Sequence, residues 1–486
     1  MNKEKTIGWN FDNSYSNLPK SFIYEISPVP VKRPELVIFN HDLADQMGLN
    51  FSNVDNEQLA KMFSGNLLPK GSKSLAQAYA GHQFGHFTML GDGRAVLLGE
   101  HISKSNQRFD VQFKGSGQTP FSRNGDGRAA LGPMLREYLI SEAMYSLNIS
   151  TTRSLAVVST GEDIIRERSL PGAILTRVAS SHIRVGTFQY VAARDKKDEL
   201  ELLLNYVINR HYPKLINSKN KAIDLLINLM DKQTDLVVNW MRVGFIHGVM
   251  NTDNMSISGE TIDYGPCAFM DTYDPKTVFS SIDHMGRYAY CNQPIITKWN
   301  LSRFAECLIP MIDENQKKAI EVASEIINTF EKNYEEKWLE MMRKKPGLVG
   351  NHSADKNLIL DLLTWMHQKK VDYTNTFCHL MKFKVQDEKN FQDKVFKDWK
   401  KRWNERLEMN NSSNEKSIAL MRTVNPLVIP RNDKVEETLD LANKNNFKML
   451  FEFLEILKTP YIEQKKTHKY QIPNERNKEY KTFCGT

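Results

Sequence analysis

The chain has little cysteine. Five residues in 486 (Cys267, Cys291, Cys307, Cys378 and Cys484) are few, odd in number and nowhere in CxxC spacing. That excludes a disulfide framework and a cysteine zinc site, and predicts a reducing, cytoplasmic setting. No apolar run reaches the roughly 18 residues that a transmembrane helix needs, so no membrane partner is expected. The segment Met1–Asn13 has no apolar signal core, and it lacks the Arg/Ser-rich, acid-poor character of a transit peptide. Internal repeats and low-complexity tracts are also missing. Charge is dilute: 65 basic against 58 acidic residues give +7, and 32 of the basic and 27 of the acidic lie from Met311 onward. So thin an excess predicts no nucleic-acid surface. What the chain does have is 41% hydrophobic and 25% charged residues, with 18 Pro and 25 Gly. This excludes a disordered or collagenous chain and allows the core of a stable enzyme.

Residues 1–75 read as an irregular entry with short elements. Residues 90–190 are strand-like and rich in Gly and Arg, with strands expected at Ala95–Glu100, Phe109–Phe113, Leu155–Ser159 and Ala173–Val178. Arg128–Leu147 reads as a helix, since Leu131, Met134, Leu135, Tyr138 and Leu139 recur at helical spacing. From Glu199 the pattern turns helical. Ala222–Val243 is a strongly amphipathic helix that Gly244 should stop. Beyond Thr297 charged helical segments follow, among them Gln316–Met342, Leu358–Met366 and Phe391–Met409, and Met421–Arg431 reads as an extended insert interrupted by proline. Mixed α/β followed by all-α predicts an α+β chain, with a smaller strand-rich lobe before a larger helical one.

Several short patterns carry chemistry. Gly91-Asp92-Gly93-Arg94 recurs in kind as Gly125-Asp126-Gly127-Arg128, the second at the expected helix start. Such loops either bring backbone N–H groups close to phosphate or make Asp-Gly hairpin turns. Lys114 ends a strand and Glu137 lies on the helix 23 residues later, the pairing by which kinase-like folds hold a phosphate-facing ammonium. Without further context the two are equally a surface lysine and a solvated glutamate. His247-Gly-Val-Met-Asn-Thr-Asp-Asn254, with Asp263-Tyr-Gly nine residues on, aligns with the kinase H-R-D-L-x-x-x-N and D-F-G patterns. Asn254 and Asp263 then fall on hard oxygen ligands suited to Mg²⁺. Val249 occupies the position of the kinase aspartate and cannot accept a proton, so Asp253 is the nearest carboxylate that can serve as base. Read blandly, Asn251–Asn254 is an Asn/Asp-rich turn. Arg177 and Arg184 have the right chemistry for bidentate phosphate contacts, although paired arginines near a strand end are also ordinary salt-bridge partners.

These residues, in this order, resemble the selenoprotein O family of kinase-like protein adenylyltransferases. The resemblance is carried by Tyr79-Ala-Gly-His-Gln-Phe-Gly-His, Phe113-Lys-Gly-Ser-Gly, Thr119-Pro-Phe-Ser-Arg, Arg136-Glu-Tyr-Leu, the His247–Met255 string, Ile262-Asp-Tyr-Gly-Pro and His284-Met-Gly-Arg-Tyr. It is strongest over about residues 75–310. It implies a bilobal protein-kinase-like fold that binds ATP in a flipped orientation. That fold would transfer AMP to Ser, Thr or Tyr hydroxyls of protein substrates with Mg²⁺ or Mn²⁺. Carried over by position, it assigns ATP contacts to Gly91, Gly93, Arg94, Lys114, Asp126, Gly127, Arg177 and Arg184, and pairs Lys114 with Glu137. It makes Asp253 the base, and gives the metal to Asn254 and Asp263. The implied organisation is an N-terminal extension (1–75), a strand-rich lobe (76–190), a lobe carrying the catalytic and metal loops (191–310) and a helical extension (311–486). A γ-phosphate-transferring kinase and a catalytically dead scaffold are the competing readings. The family often ends in a redox-active residue, so Cys484 reads either as that residue or as an inert, exposed terminal thiol.

Overall fold

Nine strands between Ile23 and Ala179 join in one antiparallel sheet. They are β1 (Ile23–Glu25), β2 (Glu35–Phe39), β3 (Leu75–Gln83), β4 (His86–Gly91), β5 (Ala95–Ile102), β6 (Arg108–Lys114), β7 (Ala129–Ala130), β8 (Arg153–Ile165) and β9 (Ser169–Ala179). The order is β1-β3-β5-β6-β9-β8-β2, with β4 on β3 and β7 on β9. The computed structural model describes residues 7–386, 388–410, 413–473 and 480–483. Both sheet faces are covered, and this is why the central strands read as apolar runs and not as strict alternation. Val111, Phe113, Val158 and Ile174 point to one face, where the short helices His41–Gln46 and Asn56–Phe63 supply Leu43, Leu59 and Phe63. Val157, Ala173 and Leu175 point to the other, against the helix Leu131–Ser146.

That helix starts three residues later than its periodicity suggests. Ala129 and Ala130 instead pair with Ala173 and Gly172 of β9, so the second Gly-Asp-Gly-Arg string precedes a strand pairing rather than a helix N-terminus. The helix is also buried nearly all round, because Leu439, Ala442, Leu450 and Phe453 of the C-terminal helices Asn432–Ala442 and Lys448–Lys458 close its outer side. The next long helix, Lys221–Val243, has the ends its sequence predicts. Asn220 caps it by accepting from the Ile223 N–H at 3.0 Å, and Gly244 closes it at φ +73° in the left-handed region.

Beyond it a turn-rich stretch to residue 289 contains the two-stranded β10 (Phe245–Ile246) and β11 (Ala268–Phe269) pair, and from Gln293 the described chain is mostly helical. Gln316–Met342 is two helices, Gln316–Asn328 and Phe330–Lys344, broken at Thr329. Met421–Arg431 departs further from expectation. A helix continues to Val424, and residues 425–431 run extended through the interior, not over the surface. Arg431 ends this stretch at 0% exposure, its guanidinium 2.6 Å from both Asp271 and Asp372. Burial of a cation is tolerable only with such partners. The protein is thus α+β, with a strand-rich N-terminal region and a helical C-terminal region.

Candidate active site

A cleft of about 720 Å³ opens between the sheet and the loops that follow the Lys221–Val243 helix. On the sheet side, register fixes the geometry. Gln112 of β6 lies opposite Arg177 of β9, so Lys114, two residues on, shares a face with both. That is the face on which the Leu131–Ser146 helix presents Glu137. The Glu137 carboxylate accepts from Lys114 Nζ at 2.7 Å and from Arg177 Nε at 2.6 Å. Lys114 also bonds Asp263, and Arg177 Nη2 approaches the same carboxylate at 3.5 Å. Burial works to raise both acids, but the cations outweigh it. Arg177 and Lys114 hold Glu137 below its ordinary pKa, and Lys114, Arg177 and Arg94 hold Asp263 well below the carboxylate range.

Asp263 is gripped from both sides. His247 Nε2 lies 3.0 Å from the Ile262 carbonyl, while Arg136 donates to the carbonyls of Gly265 at 3.1 Å and Cys267 at 2.6 Å. The residue itself sits at φ +70°, a conformation aspartate accepts more readily than most. Arg136 neighbours Glu137 on one helix, so a single element positions both the ammonium and the aspartate it meets.

The loop Asn251–Asn254 is fastened to β3 and its turn. The His82 N–H donates to Thr252 Oγ1 at 2.7 Å, and the Phe84 N–H to Asn251 Oδ1 at 3.1 Å. Asn251 Oδ1 also accepts from the Tyr288 hydroxyl at 2.7 Å. Asn254 Nδ2 donates to the Val249 carbonyl at 3.0 Å, which leaves its Oδ1 available as a ligand. Asp253 is 7% exposed, and its buried Oδ1 has no hydrogen-bond partner among the described residues. Burial pushes its carboxyl up to about 6, with Arg184 opposing and Asp263 adding to the rise. Gly81 makes room for it, since a Cβ there would overlap the Asp253 carboxylate. Gly81→Ala is therefore expected to displace the carboxylate and lower the turnover of this site at least about tenfold. Steady-state kcat checks this, and an unaltered rate would show that the close approach is immaterial.

Arg184 is buried between three groups. Its Nη1 is 3.3 Å from the Asp253 carbonyl, Nη2 is 3.8 Å from Asp92, and the guanidinium lies 4.3 Å from the Tyr79 ring centroid. Gly91, Gly93 and Arg94 form the β4–β5 connection on the cleft wall. It is not a hairpin turn, because β4 and β5 do not pair with each other. Its glycines are required by a second loop, Gly115–Arg128, which folds over it. A Cβ on Gly91 would enter the Phe121 ring, and one on Gly93 would fall 2.7 Å from the Phe121 carbonyl oxygen. Gly127 (φ +66°) meets the backbone of Gly117 in the same way. Asp126 stands at the rim, paired with Arg166 at 2.8 Å.

Every residue to which the resemblance assigned an ATP, base or metal role lines this cleft, and Glu137 lies behind it holding Lys114 and Arg177. The sequence reading gave no role to Asn251, Asp92, Arg123 or Arg166, which line it too. Arg166 had no local signal, since it sits at the β8–β9 hairpin tip and is held at the cleft by its bonds to Asp126 and the Arg128 carbonyl. Cys484 lies outside the described residues. Cys267, near the site, is buried, and burial pushes its thiol up to about 12 despite Arg136.

A family model described as protein adenylyltransferase SelO matches residues 5–458. The chain belongs to the SelO family. Its relatives span its full length. The protein nucleotidyltransferase YdiU of Pelagibacter ubique (strain HTCC1062) is 62% identical over 482 residues, covering 99% of this chain and 100% of that protein. The protein of the same name from Nitrosococcus oceani is 55% identical over 486 residues, covering 100% and 99%, and that from Bacillus thuringiensis (strain Al Hakam) is 54% identical over 488 residues, covering all of both. The strings from Tyr79 to Tyr288 that carry the resemblance therefore belong to a SelO-family chain, and they surround the cleft. None of the described helices is long and apolar enough to cross a membrane.

Proposed function

We propose that this SelO-family protein transfers AMP from ATP to Ser, Thr or Tyr hydroxyls of protein substrates, in the cytoplasm, on a kinase-like fold that binds the nucleotide in a flipped orientation. The observation that carries the reading is the buried cluster of Lys114, Arg177 and Arg184 facing Asp253, Asn254 and Asp263 across one cleft. Three cations with little solvent access suit the β- and γ-phosphates, which leaves the α-phosphate toward the carboxylates. A kinase-like arrangement is supported by the Lys114–Glu137 bond and by His247 bonded to the Ile262 carbonyl, the residue before Asp263. Val249, an apolar residue on the cleft wall, speaks against ordinary kinase chemistry.

The donor set fits a divalent cation. Asn254 keeps Oδ1 free, and Asp263 is held ionised with only Oδ1 engaged by Lys114 and Arg177. Both are hard oxygen ligands of the kind Mg²⁺ or Mn²⁺ takes. A cation held there supplies charge neutralisation at the phosphates. The chain's own residues do the rest. Glu137 fixes Lys114, which with Arg177 and Arg184 orients the phosphates. The Asp253 carboxylate accepts the proton of the attacking hydroxyl as the hydroxyl oxygen bonds the α-phosphorus and pyrophosphate departs.

Incubation with α-labelled ATP and Mg²⁺ or Mn²⁺ is expected to label the protein itself or an acceptor protein, whereas γ-labelled ATP leaves both unlabelled. Label from the γ position alone would establish a kinase. No label from either would make the chain a scaffold.

A further inference from the structure

We propose that Arg287 recognises an acidic side chain beside the acceptor hydroxyl of the protein substrate, an inference that rests on the transfer reaction proposed above. Arg287 lies beside the β3–β4 turn, whose Phe84 lines the cleft. Its guanidinium carbon is 4.8 Å from the Trp299 ring centroid and 5.7 Å from that of Tyr288, and it is the nearest neighbour of the open side of Gly85 in the β3–β4 turn. The same Tyr288 bonds Asn251, two residues before the proposed base, and Phe84 beside Gly85 lines the nucleotide cleft. The guanidinium is therefore tied to the loop that carries Asp253.

Its charge is unmatched. Among the described residues Arg287 forms no ion pair with a carboxylate, and its buried Nε has no hydrogen-bond partner. Asp283, the acid nearest in sequence, is used otherwise, accepting from the backbone N–H groups of Arg287 at 2.9 Å and Tyr288 at 2.8 Å. Arg303, on the same tryptophan at 5.2 Å, provides the contrast, since Glu306 neutralises it at 2.6 Å. A half-buried arginine held flat by aromatic rings and left without a counter-ion is preorganised for a carboxylate, which its fork binds through two hydrogen bonds. The surroundings suit a protein segment better than a small anion. Met285 is 93% exposed, and Ile282 and Phe87 offer further apolar surface. The partner that fits is an extended segment with an acidic residue near the acceptor hydroxyl and apolar residues about it.

The test uses peptides with a central Tyr, Ser or Thr whose flanking positions carry Glu, Gln or Lys, labelled by the full-length protein from α-labelled ATP. The wild type is expected to favour Glu over Gln at one or more positions by about tenfold in kcat/KM, the scale of a hydrogen bond to a charged group. Arg287→Gln abolishes that preference, Arg287→Lys keeps part of it, and Arg303→Gln leaves it intact. ATP binding by Arg287→Gln, measured by calorimetry, stays at the wild-type value, which also reports that the variant is folded. Equal use of Glu and Gln peptides by the wild type overturns the inference, as does an acid preference that survives Arg287→Gln. A loss of ATP affinity in that variant assigns the arginine to the nucleotide instead and overturns it equally. If the wild type labels no protein or peptide at all, the transfer reaction itself has failed, an outcome distinct from each of these.

Discussion

Asp253→Asn is expected to slow nucleotidyl transfer by roughly 10²- to 10⁴-fold, the range for loss of a positioned general base, and at the same time to stabilise the protein at neutral pH. Both effects come from one property. The carboxyl is buried and its Oδ1 is unpartnered, so burial pushes it up to about 6 in spite of Arg184. A carboxyl whose folded pKa exceeds its unfolded value favours the fold while protonated. Its contribution is complete below the unfolded pKa, and it is lost as pH rises through about 6. Asparagine never ionises. In protein free of nucleotide and metal, variant and wild type should therefore differ least near pH 4. Above pH 6 the variant gains up to about 3 kcal/mol, because each tenfold change in proton affinity is worth about 1.4 kcal/mol. Urea titrations across this range read the difference. A variant that keeps its rate would remove Asp253 from the role of base, and one less stable than wild type at pH 8 would show that burying this carboxylate carries no penalty.

The second large effect is placed at Glu137. The side chain is 3% exposed and receives two short charged hydrogen bonds, from Lys114 at 2.7 Å and Arg177 at 2.6 Å. Glu137→Ala strands two buried cations, and breaking such a set typically costs about 3–5 kcal/mol. Glu137→Gln keeps the shape and separates charge from packing. With only Asp263 left to neutralise both cations, that carboxylate is drawn wholly into the ion cluster and away from any metal, so activity should fall further than stability does. Denaturant midpoints of both variants, set beside their rates from α-labelled ATP, distinguish the two losses. A cost below about 1 kcal/mol for Glu137→Ala would mean that the cluster contributes little to the fold.

What could be read without coordinates divides along lines of range. The helix Lys221–Val243 was legible because its signals are local: an apolar stripe, Asn220 at one end and Gly244 at the other. The central strands were legible because burial on both faces turns them into Val/Leu/Ile runs. β8 was underestimated, since Thr160-Gly-Glu-Asp163 is polar and glycine-bearing and the pairing with β9 resumes, after a register shift, only at Asp163. The start of the Leu131–Ser146 helix was misplaced for a similar reason, because β9 claims Ala129 and Ala130. Lys114, Glu137, Asp253, Asn254 and Asp263 were marked by residue type and order, and the fold brings all five together. Asn251 was read only as part of an Asn/Asp-rich turn, because it works by holding the Phe84 backbone and the Tyr288 hydroxyl, which no spacing records. Arg431 was hidden altogether, its partners Asp271 and Asp372 being 160 and 59 residues away in the chain.

That last contact bears on how the protein is made. Asp271 lies eight residues beyond Asp263, on the same segment of the site, and the cation that pairs with it enters the chain only at Arg431. During synthesis the sheet and the Lys221–Val243 helix can assemble as they emerge, since domains form in the order in which the ribosome releases them. Asp271 must wait, solvated, until nearly nine-tenths of the chain is out, whereas Asp263 already has Lys114, His247 and Arg136 to hold it. The far end of that segment is thus locked among the last parts of the molecule, and a nascent chain stalled before Arg431 carries the cleft residues without that lock.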